Sequence, residues 1–249
     1  MSNNPETGHA KNVSNFESLI SFVRGYGATY NPSKNAIRIE ALEVILANAK
    51  RSLIDIDTVF PAYTNAVSAR ESAFAPLSKI ITRVNNAIKA TDTTEQVDES
   101  VKSIVRKLQG TRASAKISDE DKKQLAAEGK EVNQISASQM GYDNRLENLY
   151  KLIMLLSSIP QYNPNEEELK ISTLRALYED LKAKNMAVIN TTTPLSNARI
   201  ARNEIMYEPL SGLVDIAFDS KVYVKSVFGP SSPQYKQVSK LEFKSLAKL

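Results

Sequence analysis

The chain contains no cysteine and no tryptophan. The first absence removes disulfides, thiolate metal sites and cysteine nucleophiles together, and it fits a reducing compartment. Glycine is scarce, at 8 of 249 residues, and proline numbers 10. An all-β sandwich of this length would need many more turn residues. Aromatic residues make up 7%, a poverty that long helical bundles tolerate because Leu, Ile, Val and Ala fill their contacts. The single histidine, His9, lies in a polar N-terminal stretch, where solvation is the expectation. The longest apolar run is Leu152 to Leu156, whereas a membrane-spanning helix needs about 20 residues. No transmembrane segment is therefore expected. Met1 to Lys11 has no apolar core of the kind a secretory leader carries, so a cytoplasmic location is expected.

Neither sign of charge dominates. The 32 basic residues are interspersed with 28 acidic ones, for a net charge of +4. A basic balance can serve nucleic acid, but without a dense Lys/Arg block it reads as solvated helix faces. The catalytic motifs are missing too. Gly25-Tyr26-Gly27 lacks the Lys-Ser/Thr and the preceding strand of a phosphate loop, and reads as a helix C-terminus. No Gly-x-Ser-x-Gly elbow occurs. Asp119-Glu120-Asp121 and Glu166-Glu167-Glu168 are consecutive, so on a helix their side chains fan apart; both read as first-turn carboxylates. The expectation is a protein that is not an enzyme, with no catalytic residue, no metal ligand and no cofactor.

What is present is an internal repeat. Tyr30-Asn31-Pro32 recurs as Tyr162-Asn163-Pro164, an offset of 132. Asn15-Phe16 and Leu19-Ile20 face Asn148-Leu149 and Leu152-Ile153 at 133, and Ile39 and Leu42 face Ile171 and Leu174 at 132. Asn65-Ala66 and Ala69-Arg70 match Asn197-Ala198 and Ala201-Arg202. Glu71, Phe74 and Pro76-Leu77-Ser78 then match Glu204, Tyr207 and Pro209-Leu210-Ser211. Val101 to Ile104 resembles Val224 to Val227. Shared order and near-constant offset point to duplication and fusion, with a pseudo-two-fold relation between the copies.

Inside each copy the period is helical. Ile39, Leu42, Leu46, Ala49, Leu53, Ile56, Phe60, Tyr63 and Val67 follow steps of three and four, a coiled-coil-like seam. The second copy runs Ile171, Leu174, Tyr178, Leu181, Asn185, Val188, with Asn185 as a polar register-setter. Helices are predicted over residues 34–60 and 165–190. Pro61, Pro76 and Pro209 are expected to kink or briefly break them, and Tyr-Asn-Pro to turn a corner between helices. The reading is an all-α long-helix bundle. It comprises a flexible tail (1–12), copy one (13–110), a polar linker (111–141), copy two (142–229) and a C-terminal tail (230–249) that is strand or short helix. Within the linker, Ser118 to Ala127 reads as a short solvated helix.

The candidate site is the repeated Asn-Ala-x-x-Ala-Arg turn: Asn65, Arg70 and Glu71, and Asn197, Arg199, Arg202 and Glu204. Converging arginines would make an anion or acidic-partner site. The plainer alternative is an interior arginine in each copy, largely buried and facing a carboxylate, that sets helix register. Met1 to Glu17, Tyr30 to Lys34, Pro194 to Glu204 and Ser232 to Gln237 resemble an uncharacterised family of cytoplasmic all-helical proteins from Bacteroidetes-type bacteria. That resemblance covers essentially the whole chain and implies no activity, cofactor or site residue. The functional expectation is a non-enzymatic helical scaffold, or a self-assembling homo-oligomer, acting through protein partners. The alternatives are a membrane-active helical protein of the pore-forming-toxin type, and a binder of nucleic acid or of an acidic partner.

Overall fold

The structure, a computed structural model, describes residues 5–111 and 140–246. Among the described residues the regular structure is all helical, with short 3-10 turns and no strand. The helices are α1 (Pro5–Gly25), α2 (Ile39–Phe74), α3 (Leu77–Lys89), α4 (Glu95–Gln109), α5 (Tyr142–Ser157), α6 (Ile171–Tyr207), α7 (Leu213–Phe228) and α8 (Pro233–Ser239). The linker's predicted helix, Ser118 to Ala127, lies outside the described residues. None of the described helices is long and apolar enough to cross a membrane.

The chain divides into two compact units. Unit one takes Met1–Tyr63 and Thr191–Leu249, and unit two takes Thr64–Asn190. In unit one, α1 and α8 pack on α7, and Phe16, Leu19, Val23, Leu42, Ala49, Leu213, Ala217 and Val224 close the core. In unit two, α4 packs against both α3 and α5, and Phe74, Ile81, Val84, Ile88, Val101, Leu108, Leu149, Leu152 and Leu181 form the core. These side chains recur every three or four residues along their helices, so each helix buries one apolar stripe and leaves charge on the other side.

α2 and α6, at 36 and 37 residues, run past the predicted ends at 60 and 190 but begin at Ile39 and Ile171 rather than at 34 and 165, because the corner residues before them form a 3-10 turn with extended flanks. Pro61 and Pro194 sit inside them without ending them. Each proline removes one backbone hydrogen bond but leaves the flanking turns in place. Pro76 and Pro209 do more, since the helix stops before each and a separate one follows. Of the predicted row on α2, Leu42, Ala49 and Ile56 are buried, whereas Phe60 is largely exposed. On α6, Leu174, Leu181, Asn185 and Val188 are all buried.

Both Tyr-Asn-Pro corners are present and carry the same internal bond. Tyr30 donates its hydroxyl to the Ile37 carbonyl at 2.7 Å, and Tyr162 donates to the Leu169 carbonyl at 2.8 Å. Each bond closes the loop over a 3-10 turn, Asn35–Ile37 or Glu167–Leu169. Burial pushes both phenols up to about 12, because the charged form would lose its hydration. Ion pairs brace the corners: Lys34 meets Asp219 on α7, and Arg83 on α3 meets Glu168.

The expected N-terminal tail is corrected. Residues 5–12 are the opening turns of α1, and His9 and Asn12 are buried. At the other end, Pro233–Ser239 forms a helix capped by the Ser232 hydroxyl, which accepts from the Tyr235 amide at 3.1 Å. Residues 241–246 then run without helix or ladder.

Candidate functional site

Arg70 lies near the end of α2, in unit two. Its guanidinium stacks on the Tyr142 ring, 3.9 Å from the centroid, and donates to Asn185 Oδ1 at 3.1 Å. Asn185 in turn donates to Asp143 Oδ1 at 2.7 Å. The expected carboxylate is therefore present but one residue removed: the Asn185 carboxamide relays between cation and anion. Phe74 meets Tyr142 edge to face at 4.8 Å, and the Arg145 guanidinium lies 5.1 Å from the Phe74 ring centroid. Arg145 also donates to the Phe74 carbonyl at 3.3 Å, and burial lowers the pKa of its guanidinium. The result is a ladder of cation, ring, ring and cation joining α2 and α5, with Asn185 of α6 bonded to its Arg70 end. Stacking of this kind suits the weakly hydrated guanidinium. Arg70 is half-buried rather than largely buried, while Asn65 and Glu71 are exposed.

Arg202 belongs to unit one and is 4% exposed. Its Nε and Nη2 reach Asn203 Oδ1 at 3.2 and 3.0 Å. The two arginines thus fall in different compact units, and each is engaged by acceptors of its own unit. Asn197, Arg199 and Glu204 are exposed. Glu204 lines an open groove of about 380 Å³ together with Ile45, Asn48, Ile205, Glu208 and Ser211.

Sequence reasoning missed the polar cluster on α1. His9 Nδ1 lies 2.6 Å from the Tyr207 hydroxyl, and the two rings meet edge to face at 5.6 Å. Asn12 also donates to that hydroxyl, at 3.3 Å. A lone histidine in polar sequence gives no sign of burial. The spacing of Val13, Phe16, Leu19, Ile20 and Val23, continued one turn upstream, would have placed Asn12 and His9 on the buried stripe. Lys221 was missed as well. It donates to the Leu241 carbonyl, its Nζ lying 5.5 and 5.1 Å from the Phe218 and Phe243 ring centroids. Burial lowers its pKa, and the nearby Glu242 opposes that shift.

Among the described residues no group of three or more His, Asp or Glu side chains is placed to hold a metal ion. No family model matches the chain, and no curated protein or solved structure matches it significantly.

Proposed function

We propose that this is a non-enzymatic helical scaffold, built from two diverged copies of one unit, that assembles with further copies of itself through exposed helix faces. The observation that carries the assembly reading is a pair of apolar side chains one helical turn apart on the open side of each unit. On α5 these are Tyr150 and Met154, 49% and 46% exposed; on α7 they are Phe218 and Val222, 48% and 66% exposed. Isolated exposed apolar residues are ordinary, but neighbours at i and i+4 form a ridge that a facing helix can cover. Native mass spectrometry and light scattering over a range of concentrations test this. Species above the 27.6 kDa chain mass are expected, weakened by Tyr150→Ser with Met154→Ser, or by Val222→Ser. A strict monomer at every concentration, unchanged by either variant, contradicts it.

The duplication is supported by contacts that recur at the repeat offset. Tyr30 with Ile37 repeats as Tyr162 with Leu169. Phe74 with Tyr142 repeats, 133 residues apart at each partner, as Tyr207 with His9. Arg145 against Phe74 repeats as Asn12 against Tyr207. Val101 and Val224, 123 residues apart because the second copy lacks the Thr91 to Glu99 stretch, are both fully buried. In this reading each compact unit joins the first part of one copy to the last part of the other. That is the arrangement a fused, segment-exchanged homodimer would leave.

A further inference from the structure

The segment after α8 is held through its backbone and through one aromatic side chain, Phe243, with Leu241 also packed on the core. Asn12, fully buried on α1, donates Nδ2 to the Lys244 carbonyl at 2.8 Å and accepts from the Lys244 amide at Oδ1, 2.9 Å. Asn15, one turn further on, donates to the Glu242 carbonyl at 2.6 Å. Lys221 donates to the Leu241 carbonyl. Phe243 falls between the two residues that α1 reads and contacts Phe218, its ring centroid 6.3 Å away, beneath the Lys221 ammonium. Residues 242 and 244 thus meet α1 while residue 243 meets α7, the alternation of an extended strand. A carboxamide bonded to both the N–H and C=O of one residue reproduces what a neighbouring strand would offer, and it is indifferent to side-chain identity. Without such a partner the buried Asn12 would keep its bond to the Tyr207 hydroxyl but lose the acceptor for one N–H and the donor to its Oδ1.

We propose that this face of α1 and α7 is a binding site for an extended peptide with an aromatic residue at the Phe243 position. Its own segment fills the site in cis, and the same segment from a second copy fills it in trans. This rests on the reading of the chain as a self-assembling scaffold. Exchange of a terminal segment between identical chains adds no new kind of contact, only a new owner for the old ones. The cis segment competes at high effective concentration, so the site is masked until that segment is weakened.

The first test uses the full-length chain and a labelled synthetic peptide of residues 238–249, followed by fluorescence anisotropy. Phe243→Ala in the protein is expected to bind the peptide at least about tenfold more tightly than the unsubstituted chain. An unlabelled peptide carrying Phe243→Ala is expected not to compete. A folded Phe243→Ala protein that does not bind, or equal competition by the altered peptide, overturns the proposal. The second test leaves Phe243 in place. A Cβ at Gly8 would stand 3.8 Å from Lys244 Cδ, and the chain has no other thiol. A Gly8→Cys chain and a Lys244→Cys chain, mixed and treated with a short bis-maleimide, are expected to give mixed crosslink in roughly tenfold excess over crosslinked like chains. Statistical proportions overturn exchange between copies. A protein that proves monomeric yet binds the peptide removes the assembly reading and leaves the site standing.

Discussion

Leu210 is the residue whose backbone is most out of keeping with its side chain. It follows α6 with φ at +68°, and its side chain is 81% exposed. The αL conformation suits glycine and disfavours a side chain with Cβ. The turn holds it there: the Leu210 amide donates to Asp215 Oδ2 at 2.8 Å, and the Gly212 amide closes on the Glu208 carbonyl at 2.7 Å. Gly212 has no freedom to grow, since a Cβ would come within 2.7 Å of the Glu208 backbone nitrogen. Leu210→Gly removes the strain and forfeits almost no burial. It is expected to raise stability by about 1 kcal/mol, read from urea denaturation; a loss of stability would mean the leucine packs where it is now exposed. Arg70 is the second test at this scale. Because it is half-buried and bonded to a neutral amide, Arg70→Met is expected to cost about 1–2 kcal/mol, less than the loss of a fully buried ion pair. A loss of more than about 3 kcal/mol would show that the buried-pair reading of the sequence was the better one.

At the scale of elements, α2 and α6 were legible because apolar side chains recur at three and four residues along them. The Tyr-Asn-Pro corners were legible because proline fixes its own φ and restricts the residue before it. The ends were not. α1 begins at Pro5, ahead of its first apolar core residue, Val13. Its opening turns are anchored by polar side chains, His9 and Asn12, which only the upstream extension of the apolar spacing places on the buried stripe. The predicted helices stopped at 60 and 190, whereas α2 and α6 continue through Pro61 and Pro194 to Phe74 and Tyr207, because an interior proline costs one backbone hydrogen bond without stopping the helix. The candidate residues separated similarly. Arg70 and Arg202 lie on rows that pack, whereas the repeated pairs Asn65/Asn197 and Glu71/Glu204, and Arg199, which has no arginine counterpart, face outward. His9→Ala removes the 2.6 Å partner of the Tyr207 hydroxyl. That substitution is expected to cost about 1–3 kcal/mol, with faster amide exchange through the first turns of α1. Unchanged stability and exchange would mean that these turns do not depend on the histidine.

At the scale of the whole molecule, the sequence divides at the linker but the packing does not. Unit one draws on Met1–Tyr63 and Thr191–Leu249, one stretch from each side of residues 112–139. Unit two also has parts on both sides, with Phe74 and Val101 before those residues and Leu149 and Leu181 after them in a single core. Contiguous repeats along a chain suggest contiguous domains, and nothing in periodicity or composition says which half of a copy will pack with which. That pairing is decided by long-range contacts such as Asn12 with Lys244 and Phe74 with Tyr142.

The claim that each unit is built from both copies is tested most directly by cutting the chain. A protease site placed between Thr111 and Met140 would, once cleaved, leave two fragments with no covalent link. Native mass spectrometry of the nicked protein is expected to show one species of near full-chain mass, melting in a single transition close to that of the uncut protein. Two fragments that separate, each keeping its helical circular dichroism and melting on its own, would show that the copies fold as independent domains and would contradict the account.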